Sequence, residues 1–456
     1  MSEDAVRSSV EGRFDESVRS LQAFCRFPSI SAQTDHAPDS RACAEWLAAR
    51  LETAGLTATI EPLGRPAVLA AGPVEPDRPT LLVYGHYDVQ PPDPLDLWNT
   101  EPFEPTVVDG DLVARGASDD KGPLFAWVAA IEAMRAAGEA LPVNVKCLFE
   151  GEEEVGSPTL GAFVAAHPER LACDAIAIAD GAFYADDTPS LTYALRGLTY
   201  IEVTATGADR DLHSGLSGGL APNPLNALAA LVASLHDDHG RVAVAGFYDD
   251  VRPPSDDERA MWEGLGFDAD AWRAEIGATA LAGPDNVPPL ERLWALPTLD
   301  CHGLWGGYMG EGCKTVIPAW AKAKLSCRLV CDQRAEVVAE QVEAHLRKHC
   351  PAGVRLAVDL LMAEDPWLAD PDAPAVEAAR GAISEAFEAP CVLVRCGASI
   401  PVAIHFHRHL AVDPLIMGLS LPSDRVHSPN ERFGLDQFRR AIHASVALMR
   451  RLGGRA

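Results

Sequence analysis

The stretch Leu81 to Asp88, LLVYGHYD, constrains the fold of this chain more than any other. Four strand-forming apolar residues run into Gly85, and His86 and Asp88 follow two apart. A continuous apolar run of this kind fits a strand buried on both faces, in a sheet that helices cover on either side. Such sheets keep their chemistry at strand ends. In extended backbone, residues i and i+2 point the same way, so the Asp88 carboxylate can hold one tautomer of His86 while the other ring nitrogen binds a metal. Taken alone, the pair fits an ordinary hydrogen-bonded contact better than a metal site. Further ligands have to come from elsewhere in the chain.

The rest of the sequence repeats the rhythm. Helical spacing of Val18, Leu21, Phe24 and Cys25 predicts a helix over 5–27 that ends at Pro28, and a second helix is expected over 39–54 with Gly55 as its stop. Strands are expected at 57–62, 67–71, 80–84, 112–115, 143–149 and 175–179, and helices at 123–136 and from Thr159 onward. Between these elements lie a Pro- and Asp-rich loop at 90–105, the segment GASDDKG at 116–122, EGEEEVGS at 150–157, and Asp180. Strand ends deliver an acid or a histidine. The expected class is α/β, a mixed sheet covered by helices.

After Asp180 the pattern changes. A β-rich run over 190–206 leads to DLHSG at 211–215, a helix at 223–235 and an acidic, Trp-bearing insertion over 249–297. Strands near 301–305 and 321–330 and a helix at 335–349 complete a second, α+β unit. DPWLADPDAP at 365–374 reads as a linker. Helix–strand alternation then resumes and ends with HSPNE at 427–431 and a helix over 435–452. The expected organisation is a catalytic domain of residues 1–194 plus 368–456, with an inserted domain over 195–367.

Composition narrows the partners. The 456 residues carry 38 basic and 66 acidic side chains, a formal charge of -28, which disfavours nucleic acid and anionic membrane surfaces. Eleven cysteines without a C-x-x-C pair fit reduced thiols rather than a disulfide frame. The polar, acidic N-terminus has no apolar core of a signal peptide, and no apolar run is long enough to span a bilayer. A cytoplasmic protein is expected.

The candidate ligands are then His86, Asp119, Glu153, Glu154, Asp180 and His427. Bringing these carboxylates together without cations would bury like charges at a high cost. A carboxylate and imidazole set suits zinc, manganese or cobalt better than calcium, which prefers all-oxygen cages.

GHYDVQP, ARGASDDKGP, EGEEEVGS, the strand-ending Asp180, DLHSG, KTVIP and HSPNE occur in the order and spacing of the M20 metallopeptidases. The chain most resembles their cytosolic non-specific dipeptidase and carnosinase branch, over nearly its whole length. That resemblance implies two divalent ions, one held by His86, Asp119 and Asp180, the other by Asp119, Glu154 and His427, with Asp119 bridging. It also implies that Asp88 steadies His86 and that the Asp119–Asp120 peptide is cis. Glu153, selected with Glu154 by counting back from Gly156 and Ser157, would be the general base for a metal-bridging water.

Within the inserted unit, His213 resembles the family histidine that reaches a partner's active site. The unit would thus be a lid and dimerisation domain of a homodimer. Arg328 and Thr315 match substrate-gripping positions, and an arginine suits a C-terminal carboxylate. Where the family commonly has R-E-G-G-S, this chain has Arg395, Cys396, Gly397, Ala398 and Ser399. Alanine at the second glycine restricts the backbone beside Ser399, a further substrate-binding candidate. His405, His407 and His409 do not share one helix face, so a third metal site is not expected. Trp98, Trp262, Trp272 and Trp305 are expected to be packing residues. The implied activity is hydrolysis of peptide bonds in dipeptides. The alternatives are a deacylase of N-acyl amino acids on the same metal site, and a non-catalytic dimeric binding protein.

Overall fold

The computed structural model describes residues 3–284, 286–397 and 400–454. The chain forms two compact units. The first comprises Met1–Tyr193, Ala369–Val394 and Pro401–Ala456, and the second comprises Ala194–Leu368 with Arg395–Ile400.

The first unit is built on a mixed sheet. Its strands run in the order Thr57–Glu61, Ala67–Ala71, Asn144–Glu150, Thr80–His86, Ala175–Ile178, Pro414–Ile416 and Ser190–Leu195. Thr80–His86 lies parallel to both of its neighbours, placing His86 opposite Glu150. Ala67–Ala71 pairs antiparallel to Asn144–Glu150, which makes the sheet mixed. In the Thr80–His86 strand, every residue after Thr80 is buried, so both faces are covered.

Helix Gly122–Ala136 is apolar nearly all round and buried from Gly122 to Met134, as expected for a helix enclosed between a sheet and other helices. It packs against Glu3–Cys25 and Leu435–Leu452. A separate helix pair, Leu160–Ala166 and Pro401–Leu410, packs together. The one charge buried in the long apolar helix, Glu132, is held by Arg50 at 2.7 Å and Arg13 at 3.5 Å. Among the described residues, no helix is long and apolar enough to cross a membrane.

The second unit carries a four-stranded antiparallel sheet in the order Thr298–Gly306, Trp320–Leu329, Gly197–Thr206 and Arg355–Glu364. Helices Pro224–Ala233 and Ala335–His349 contribute to its core, where Leu228, Leu231, Val338 and Val342 pack against Ile201, Val203 and Leu325. Sequence periodicity did not identify the Arg355–Glu364 strand. It lies at the sheet edge, most of its residues are exposed, and a register shift between Leu360 and Met362 breaks its alternation. The expected linker over 365–374 is also less loose than its Pro and Asp content suggests, because Trp367 is buried and pairs with Leu195. The acidic insertion contains three short helices, Asp256–Glu263, Ala269–Glu275 and Pro289–Ala295. All eleven cysteines are free thiols.

Candidate metal centre

Three loops and two strand ends of the first unit converge on Asp119. His86 ends the central buried strand, and its Nε2 lies 2.9 Å from Asp119 Oδ1. On the other side, His427 Nε2 lies 2.9 Å from Asp119 Oδ2 and 3.1 Å from Glu154 Oε2. Asp180 follows the Ala175–Ile178 strand. Two trios emerge, His86–Asp119–Asp180 and Asp119–Glu154–His427, and within each the potential ligand atoms lie within 4.8 Å of one another. Asp119 belongs to both.

Neighbouring groups hold His86 and Glu154 in place. The Asp88 carboxylate, fully buried, accepts the backbone N–H of Glu153 at 3.2 Å and of Glu154 at 3.1 Å. His86 Nδ1 lies 3.1 Å from the Asp88 carbonyl oxygen and 3.4 Å from its Oδ1. One aspartate therefore fixes the imidazole and the turn carrying both glutamates. Gln90 Nε2 donates to Glu154 Oε2 at 2.8 Å. The Asp119–Asp120 peptide bond is cis. Asp120 belongs to neither trio and accepts the His86 backbone N–H at 3.1 Å. That approach depends on Gly85, where an added Cβ would sit 2.7 Å from Asp120 Oδ2.

Glu431, the last residue of HSPNE, was not singled out by the sequence, yet it organises the Asp119 turn. Fully buried, it accepts hydrogen bonds from Arg115 Nη1 at 2.8 Å and from the backbone N–H groups of Gly116, Ser118 and Asp119 at 2.9, 2.9 and 3.0 Å. Asp424 adds a bond from Ser118 Oγ at 2.6 Å. Their distance along the chain, 316 residues between Arg115 and Glu431, leaves no local pattern that could reveal them. The one sequence signal for Glu431 is its place with His427 in HSPNE.

The side chains alone gather a surplus of buried negative charge. Burial, reinforced by the carboxylates of Asp180 and Glu154, pushes Glu153 up to about 9, although His86 opposes it. Burial and then Asp119 push Asp180 up to about 7. His427 rises to about 10 through its hydrogen bonds to Asp119 and Glu154. For His86, burial opposes the charged form, but Asp119 and Asp88 outweigh it and raise its pKa well above the ordinary value. Burial would raise Asp119, but His427 and His86 hold it below the usual carboxylate range. Protons thus compensate a surplus of buried negative charge. Divalent cations compensate the same surplus, and a donor set of three carboxylates and two imidazoles fits them.

The remaining candidates lie elsewhere. His213 and Thr315 belong to the second unit and are exposed, on adjacent segments where Leu212–His213 pairs with Val316–Ile317. His213 Nδ1 accepts the Gly215 N–H at 3.0 Å. Arg328 is half-buried on the Trp320–Leu329 strand, opposite Thr298. Ser399 and Ala398 lie outside the described residues. Of the tryptophans, Trp262 is buried against Trp294 and Trp98 Nε1 donates to the Pro92 carbonyl, whereas Trp272 remains 39% exposed.

Comparison with known proteins agrees with the geometry. Residues 82–451 match peptidase family M20/M25/M40. The chain is 32% identical to the Cys-Gly metallodipeptidase dug1 of Schizosaccharomyces pombe, over 97% of this chain and 96% of that protein. It is 35% identical to the human Beta-Ala-His dipeptidase, over 80% and 73% of the two chains. The structure of Sso-CP2, an M20 family metallo-carboxypeptidase from Sulfolobus solfataricus, superposes with a TM-score of 0.85 at 30% identity, covering 96% of this chain and 99% of that one. With the match spanning all the residues of both trios, the chain belongs to peptidase family M20/M25/M40.

Proposed function

We propose that this protein is a divalent-metal-dependent dipeptidase that hydrolyses the peptide bond of small peptides in the cytoplasm. The observation that carries this reading is the pair of trios sharing Asp119, with Glu153, a member of neither, beside Glu154. His86, Asp119 and Asp180 would hold one ion and Asp119, Glu154 and His427 the other, with zinc or manganese as the expected metals and cobalt a third choice. Divalent ions there would supply an acidified water, polarise the scissile carbonyl and lower the proton affinity of Glu153. Glu153 takes the proton of the attacking water and returns it to the leaving amine. Asp88 positions the base through its bond to the Glu153 N–H and keeps His86 oriented.

The inserted domain, residues 195–367, serves in this reading as lid and dimerisation domain. His213 stabilises the oxyanion in a partner's site, and Arg328, Thr315 and Ser399 grip the substrate. The names of the relatives, dipeptidases for Cys-Gly and for Beta-Ala-His, support dipeptides as the substrate class. The test is a panel of dipeptides, N-blocked dipeptides and N-acyl amino acids, assayed with zinc, manganese and cobalt in turn. Turnover of free dipeptides above the other classes is expected. Preference for N-acyl amino acids would replace the reading with a deacylase, preference for N-blocked dipeptides with a carboxypeptidase, and no turnover with metal bound would leave a binding protein.

A further inference from the structure

A cavity of about 200 Å³ lies wholly within the inserted unit, outside the metal centre and its candidate substrate residues. Phe267, Trp272, Leu281 and Leu293 give it an apolar lining, and Arg196 and Arg292 supply its charge. Among the described residues no carboxylate lines it, in a chain with 66 acidic and 38 basic residues. Arg196 is 6% exposed, and among the described residues its one hydrogen bond runs from Nη2 to the Leu296 carbonyl at 2.5 Å. Its Nε is buried with no partner among the described residues. Arg292 spends Nε and Nη1 on the carbonyls of Val287 and Ala282, at 2.6 and 2.9 Å. Neither guanidinium forms an ion pair among the described residues. Burial, and then the charge of Arg328, push Arg196 down to about 10, with Asp300 and Cys396 pulling the other way.

A buried guanidinium with an unsatisfied N–H, repelled by a second arginine, is costly unless an anion completes it. The rest of the cavity is apolar and aromatic. A cavity of about 150 Å³ holds a benzene ring, so this one has room for a single aromatic or branched aliphatic group. Trp272 and Leu293 stay 39% and 41% exposed at this site, leaving apolar surface that a ligand would cover.

We infer that this cavity is a binding site for a small organic monocarboxylate with an apolar or aromatic body, its carboxylate on Arg196 and its side chain between Phe267, Trp272 and Leu293. Two sources share this chemistry, the C-terminal residue of a peptide and a free amino or carboxylic acid. The inference does not depend on the dipeptidase reading, because binding is measured without turnover.

The experiment is calorimetric titration of the metal-loaded, full-length protein with 3-phenylpropanoate, alongside the neutral 3-phenylpropan-1-ol and acetate. Saturable binding of 3-phenylpropanoate is expected, weakened about tenfold or more in the alcohol and in acetate, and by Arg196→Met. Leu293→Glu, at an exposed position, places a carboxylate in the cavity and should abolish binding even where Arg196→Met folds poorly. Competitive inhibition of hydrolysis by 3-phenylpropanoate, lost with the Arg196 variant, would identify a peptide C-terminus as the occupant. Binding without inhibition would identify a separate acid. No saturable binding, equal affinity for the alcohol, or unchanged affinity in both variants overturns the site.

Discussion

Asp88 and Glu431 each satisfy several donors at once, and this decides how firmly the candidate ligands are placed. Asp88 holds two consecutive amides of the glutamate turn, and Glu431 holds three amides of the Asp119 turn together with Arg115. Carboxylates that accept several N–H bonds act as rigid anchors, so Glu153 and Asp119 are fixed through their backbones before any cation arrives. Glu150, at the end of strand Asn144–Glu150 and opposite His86, behaves differently. Burial pushes its carboxyl up to about 7 from an ordinary 4.5, although Tyr84 and Ser157 donate to it at 2.5 and 2.8 Å. The folded state thus keeps a proton that the unfolded chain releases near 4.5, so this contribution is complete below 4.5 and is lost as pH rises toward 7. Thermal melts from pH 4.5 to 8 should show Glu150→Gln losing up to about 1.4 kcal/mol less per pH unit than the wild type in that window. Identical profiles would refute the assignment. At this scale the sequence revealed residues lying inside motifs or at strand ends, such as His86, Asp119 and Glu154. It did not reveal the bond of Asp120 to the His86 amide or the anchoring role of Glu431, whose partners are set by the fold rather than by spacing.

Elements were legible where periodicity is enforced by burial. The strand Ala67–Ala71 and the helix Ala335–His349 have the bounds that apolar spacing predicts, since one face or both meet a core. The edge strand Arg355–Glu364 was missed because solvent on most of its residues removes the constraint that makes a strand readable. Helix Gly122–Ala136 shows how closely an element can be fitted. A Cβ on Gly122 would meet the Ala117 carbonyl oxygen at 2.2 Å and the Phe433 ring at 2.5 Å, whereas one on Gly12, in the exposed face of Glu3–Cys25, meets nothing within 4 Å. Denaturant titration should find Gly122→Ala destabilised by roughly 1–3 kcal/mol and Gly12→Ala stabilised by roughly 0.5–1 kcal/mol. Equal shifts for the two would show that the turn before the helix is looser than described.

For the whole molecule, the proposal divides the labour between a catalytic domain that carries both trios and an inserted domain that carries His213 and the carboxylate cavity. If His213 acts on a partner's site, His213→Ala should keep its metal and its oligomeric state by light scattering while turnover falls about 10²-fold or more. A protein that runs as a fully active monomer would remove that role. The central claim is that metal held by the trios and Glu153, outside both, together perform hydrolysis. It is tested most directly by measuring metal content and dipeptide turnover of Glu153→Gln on the same preparation. Metal content equal to wild type with turnover reduced on the order of 10²–10⁴-fold is the predicted result. Wild-type turnover in that variant, with its metal retained, would contradict the account.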